Sequence, residues 1–185
     1  MTGGWMRTVD GDDEDGGPDL DGRDLGGPIL EEAARTGVAG VAAMLTRGVR
    51  RALAERGFNS LTEFRLASGR RADVVAVNEA GEVVIVEVKS SVADFRADQK
   101  WPEYQAFCDT FYFAVGADFP ADLIPPECGL MVADGFGAVV TREAPLVKLN
   151  AARRRAVVLR LALTASGRLH RQEDPMLSMA VDMRG

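Results

Sequence analysis

Three residues whose types suit phosphate chemistry stand at the ends of two apolar runs: Asp73 in "RADVVAVN", and Glu87 and Lys89 in "EVVIVEVKS". The turn between the runs fixes how they meet. Asn78-Glu79-Ala80-Gly81 matches a type I turn, with Asn favoured first and Gly fourth, and a three-residue hairpin loop puts that Gly in the left-handed region. Asn78 then pairs with Glu82, Val77 with Val83, Val75 with Ile85, Asp73 with Glu87 and Arg71 with Lys89. Directly opposed residues share a face of a hairpin, with Cβ atoms about 5 Å apart. Asp73, Glu87 and Lys89 are therefore predicted to converge.

Two opposed carboxylates repel, and burying them beside a strand of valines costs free energy unless something compensates. A hard divalent cation does so. Asp73 and Glu87, with the backbone carbonyl of Val88 and water, make an all-oxygen set suited to Mg²⁺ or Mn²⁺. Lys89 would then lie beside the reacting phosphate, where an ammonium stabilises hydroxide or developing negative charge. The plainer alternative makes Glu87 and Lys89 outward residues of a half-exposed strand balanced by Arg71. Val83 and Ile85 on the same face weigh against it, although a register slip of one residue would remove the constellation.

The helix predicted after this hairpin adds candidate phosphate contacts. Lys100 and Tyr104, four apart, share a helical face directed at a phosphate near the site, and Gln99 serves likewise. Trp101 either stacks on an unpaired base or packs beside the strand, and Phe107 is expected in the core. Ser90 and Ser91 read as helix caps.

Composition narrows the rest. The chain has 185 residues, 46% hydrophobic, enough for one domain with tails. No apolar run approaches the length of a membrane span and the start is acidic, so a cytoplasmic protein is expected, nucleoid-associated when on DNA. The single histidine, His170, falls in a late polar segment, leaving little for histidine-based catalysis. Cys108 and Cys128 read as buried free thiols. The net charge of −6 lies in residues 1–28, which hold eight acids and two bases. Residues 142–171, by contrast, carry eight Lys and Arg against Glu143 alone, a run that meets phosphates, through Arg153 and Arg154 above all, or forms a solvated helix face.

The elements that must position the site follow from periodicity. Residues 1–28 are Gly/Asp-rich and read as a disordered tail. From Ile29, Val41, Leu45, Val49 and Leu53 mark an amphipathic helix stopped by Gly57. Three strands, a helix that Pro102 either kinks or restarts, three more strands and a closing helix from an Asn150 cap complete the order αβββαβββα. The domain is drawn at 29–165, with 166–185 a polar tail. An α/β fold with a mixed sheet flanked by helices is expected.

Asp73, followed by "VEVK" at the end of the next strand and then a helix, resembles the PD-(D/E)XK nuclease superfamily, with its restriction-endonuclease-like αβββαβ core. More closely, "RRADVVAV", "VEVKSSVADFRADQKWPEYQAFCDTFYFAV" and "CGLMVADGFGAVVTREAP" resemble the MmcB-like family of bacterial DNA repair proteins, over roughly Val38 to Leu163. The resemblance implies metal-dependent hydrolysis of DNA phosphodiester bonds, with Asp73 and Glu87 as metal-binding acids and Lys89 as the catalytic lysine. Ala72 stands where the superfamily pattern has Pro. A further acid from the first helix would be Glu55, or Glu63 from the first strand. DNA is the implied partner, other DNA repair proteins being further candidates. Two functions are thus in view: an Mg²⁺-dependent deoxyribonuclease, and a DNA-binding or recruiting module that keeps the fold without cleaving.

Overall fold

Four-residue apolar spacing ahead of Gly57 builds α1 (Gly27–Glu55), in which Leu45, Val49 and Leu53 are buried. Val41, one turn earlier in the same series, is 39% exposed because this half of the helix runs past the sheet. Gly57 ends the helix at φ +81, a conformation that a side chain disfavours, and its N–H donates to the carbonyl of Ala54. The computed structural model describes residues 27–98 and 100–176. The predicted acidic tail lies outside them except for Gly27 and Pro28, which already belong to α1.

Six strands form one sheet in the order of the chain: β1 (Asn59–Arg65), β2 (Arg71–Val77), β3 (Val83–Lys89), β4 (Thr110–Val115), β5 (Gly129–Ala133) and β6 (Ala138–Arg142). β1, β2 and β3 are an antiparallel meander; β4 and β5 run parallel to β3, and β6 turns back. The hairpin register is the one the turn predicts, with Val77 opposite Val83 and Val75 opposite Ile85. Gly81 has φ +75 and its N–H donates to the Asn78 carbonyl at 2.9 Å.

The sheet separates two apolar layers. Val74, Val84, Val86 and Met131 pack beneath α1, while Phe64, Ile85, Phe113 and Leu130 pack beneath Phe95, Tyr104 and Val157. The second layer is supplied by α2 (Val92–Ala97), a 3-10 turn (Trp101–Phe107) and α3 (Ala151–Glu173). This is the expected mixed α/β sandwich. The structure decides one alternative and moves one boundary. The helix predicted after β3 is two short pieces, Pro102 opening the second rather than bending a continuous rod. The closing helix is capped by Asn150, whose side chain accepts from the Arg153 N–H, and it continues past residue 165 to Glu173.

Both cysteines are buried free thiols, and burial pushes each up to about 12. No helix among the described residues is long and apolar enough to cross a membrane.

A carboxylate and lysine cleft at the end of the central hairpin

The β2–β3 ladder stops at Val74 and Val86, and beyond it side chains replace carbonyls as acceptors. The Asp73 N–H donates to Glu87 Oε1 at 3.1 Å, and the Val88 N–H donates to Asp73 Oδ2 at 2.8 Å. Side-chain alternation along β2 is interrupted at the same place: Ala72 packs in the α3 layer but Val74 in the α1 layer. Across from Asp73, Glu63 has φ +51, an uncommon conformation for a residue with a side chain. Local irregularity thus turns Asp73 toward the strand end.

A cleft of about 870 Å³ opens there. α1 walls one side through Ala39, Ala42, Ala43 and Thr46; Asp94, Asp98, Lys100 and Tyr104 wall the other, over a floor of Asp73, Glu87, Val88 and Lys89. Glu87 and Lys89 are 3% and 4% exposed, burial that a charged group tolerates only with partners. Lys89 has one: its Nζ donates to Asp98 Oδ2 at 2.8 Å. Burial pulls the Lys89 ammonium down, but the hydrogen bond and field of Asp98 outweigh it and the net shift is upward.

The carboxylates lack such relief. Burial, then the neighbouring Asp73 carboxylate, push Glu87 up to about 8, and burial raises Asp73 against the opposing pull of the Val88 N–H. Such a pair is balanced by a shared proton or by a cation. Among the described residues no group of three or more Asp, Glu, His or Cys side chains is placed to hold a metal ion. The metal-ligating side chains that line the cleft are carboxylates, with Asp73 and Glu87 on its floor beside the Val88 backbone, and that oxygen chemistry fits Mg²⁺ or Mn²⁺.

The other predicted site residues divide. Arg71 and Glu63 both line the cleft and are paired with each other, Arg71 Nε lying 2.7 Å from Glu63 Oε2. Glu55 does not line it: it lies nine residues beyond Thr46, about 13 Å further along the helix at 1.5 Å per residue. Lys100 and Tyr104 both line the cleft, but through the bend into the 3-10 turn and not as neighbours on one α-helical face. Tyr104 is buried, its hydroxyl donating to the Arg71 carbonyl at 3.1 Å. Trp101 takes the packing alternative, stacked on Phe111 with ring centroids 5.9 Å apart. Gln99 lies outside the described residues.

Arg153 and Arg154 sit at the other end of the sheet. Arg154 makes two 2.7 Å bonds to the buried Asp109, whose N–H donates to the carbonyl of Val83, the first residue of β3, whereas the cleft lies at the last. Arg153 donates to the Ala106 carbonyl at 3.2 Å. The sequence reading missed Asp94 and Asp98. Their i, i+4 spacing just after a Ser91 cap was the available signal, since the first turns of that helix must follow directly from Lys89.

A family model for DNA repair protein MmcB-like matches residues 31–176. The chain belongs to the MmcB-like family. Among solved structures, an MmcB-like chain such as this one is similar to a Silicibacter pomeroyi protein of unknown function, with 44% identity and a TM-score of 0.71, covering 73% of this chain and 92% of that one. No curated protein matches it. The family match carries a role in DNA repair.

Proposed function

We propose that this MmcB-like protein is a metal-dependent deoxyribonuclease of DNA repair, hydrolysing phosphodiester bonds at the Asp73, Glu87 and Lys89 cleft. The observation that carries the reading is the mutually repelling pair of the part-buried Asp73 and the buried Glu87, beside the equally buried Lys89 ammonium. A structural ion pair would need one carboxylate there, and Lys89 already has Asp98.

Asp73, Glu87 and the Val88 carbonyl would hold Mg²⁺ or Mn²⁺, which when bound supplies Lewis-acid charge to the water and phosphate. Water attacks phosphorus, the bond to the leaving sugar oxygen breaks, and the ends are a phosphate monoester and a hydroxyl. Lys89, kept charged by Asp98, stabilises the negative charge that develops. Lys100 and Arg71 at the cleft rim bind backbone phosphates. The apolar alanine wall of α1 limits water around the reacting group.

A second reading, a DNA-binding module that does not cleave, is favoured by the 2.8 Å engagement of Lys89 with Asp98, which holds the ammonium away from a substrate. Incubation with nicked, branched and linear DNA in Mg²⁺ or Mn²⁺ separates the two. The nuclease reading expects cleavage that chelation, Asp73→Asn and Lys89→Met each remove while DNA binding survives. Binding without cleavage on any of these DNAs supports the module and removes the nuclease.

A further inference from the structure

The turn between β5 and β6 is built to hold one aromatic ring in solvent. Phe136 at its tip is 81% exposed. Its backbone is nevertheless tightly fixed: Asp134 Oδ1 accepts from the Phe136 N–H at 2.7 Å and from the Gly137 N–H at 2.9 Å. Arg47 Nε donates to the Gly135 carbonyl at 2.9 Å, and Arg51 donates to the carbonyls of Gly135 and Phe136 at 3.2 and 3.3 Å. Gly48 lets α1 press directly onto the turn, since a Cβ there would overlap the carbonyl oxygens of Asp134 and Gly137. A Cβ on Gly135 would likewise meet Arg47 and Met44 at 2.8 Å. A rigid support that ends in an unpacked phenyl ring points outward, to a ligand with an apolar face.

The position and charge of the tip say which ligand. Lys89, Val115 and Val132 form one row across the sheet, so the turn that follows β5 leaves the same sheet end as the cleft. Two strand spacings separate them, about 10 Å, or roughly three nucleotide steps. α1 joins the two directly: Thr46 lines the cleft and the next residue, Arg47, holds the tip. Arg47, Arg50 and Arg51 are exposed and bond to carbonyls and a serine hydroxyl, with no carboxylate in ion-pair contact among the described residues. Asp134, within the turn, feels the charge of Arg51, which leaves three arginines against one carboxylate at the tip, and an aromatic wedge beside that excess of cations suits a stacked base with its phosphates.

The geometry points to Phe136 as a stacking wedge for an unpaired or unstacked nucleotide a few steps from the cleft, with Arg47, Arg50 and Arg51 carrying the adjacent backbone. The inference rests on DNA as the substrate of the proposed function and narrows it to DNA interrupted by a gap, flap or junction. Continuous duplex offers no free base face and gains nothing from the ring.

Two DNAs of one sequence test this, a continuous duplex and one with a short gap carrying 2-aminopurine, both in EDTA so that no hydrolysis is involved. Wild type binds the gapped DNA at least about fivefold more tightly and changes the 2-aminopurine fluorescence. Phe136→Ala loses that preference and signal but keeps its duplex affinity and its melting temperature; Phe136→Trp keeps all of them. A Phe136→Ala protein with undiminished gap preference and fluorescence response overturns the wedge. If the wedge behaves as expected while wild type cleaves nothing in Mg²⁺, the hydrolytic reading fails and the wedge stands.

Discussion

Asp73 and Glu87 are tied to each other crosswise: each carboxylate accepts a backbone N–H from the opposite strand, at 3.1 Å for Glu87 from Asp73 and 2.8 Å for Asp73 from Val88. The pair is thereby held together by backbone donors alone, with no cationic side chain hydrogen-bonded to either carboxylate among the described residues. Its energetics are therefore open to pH.

Glu87 keeps its proton in the metal-free folded chain up to about pH 8, against an ordinary value of 4.5 when unfolded. Between those values the folded state binds more protons, so stability falls as pH rises, by about 1.4 kcal/mol per unit and by about 5 kcal/mol in all. Urea titrations in EDTA from pH 4.5 to 9 should give this slope, and Glu87→Gln should flatten it. An unchanged slope in that variant would mean that Glu87 is already ionised at neutral pH.

Removing Asp98 leaves the Lys89 ammonium buried without its partner. Asp98→Asn should lower stability by about 3 kcal/mol, and adding Lys89→Met should return most of the loss. Denaturant midpoints of the two single variants and the double variant measure the coupling.

Arg154 should behave as a structural residue and Lys100 as a DNA contact. Arg154→Ala strands Asp109, which burial pushes up but the Arg154 bonds hold below its ordinary value, and should cost about 3 kcal/mol at neutral pH. The contribution is present above the ordinary carboxylate range and disappears as acid protonates Asp109. Lys100→Ala should leave melting unchanged and reduce the salt slope of DNA binding by about one. Loss of salt slope in Arg154→Ala instead would restore it to the DNA surface.

Gly48→Ala tests the seat of the β5–β6 turn. In an ordinary helix interior Ala gains about 1 kcal/mol over Gly. Here the added methyl overlaps two carbonyl oxygens, and the expected result is a loss of about 2 kcal/mol. Thermal melting gives the sign.

What the sequence disclosed was local. The Asn78 to Gly81 turn sets a two-residue period that holds as far as Val74 and Val86, and side-chain bonds beyond it complete the meeting of Asp73 with Glu87; Ser91 and Asn150 announce their helices by chemistry acting within three residues. Contacts made by folding back were hidden. Arginine composition in α3 does not reveal that Arg154 seeks a buried Asp109, 45 positions away. Nor does four-residue spacing in α1 reveal that the wall facing the site is alanine, leaving Glu55 at the far end. Pro102 set a boundary that spacing could not choose: Lys100 and Tyr104 reach the cleft through a bend and not a helical face.

The arginines further along α3 act on a different problem, the rim of the sheet. β1 is an outermost strand, and such a strand presents unpaired acceptors on which another chain can build. Arg168 donates to the carbonyls of Thr62 and Glu63 at 2.6 and 2.9 Å, and Arg160 to that of Arg65 at 3.4 Å. Three carbonyls of this strand are thus bonded to guanidinium groups, and an edge lined with cations is a poor template for a further strand. A stretch of sequence that looks made for nucleic acid thereby puts part of its charge on the sheet's own edge.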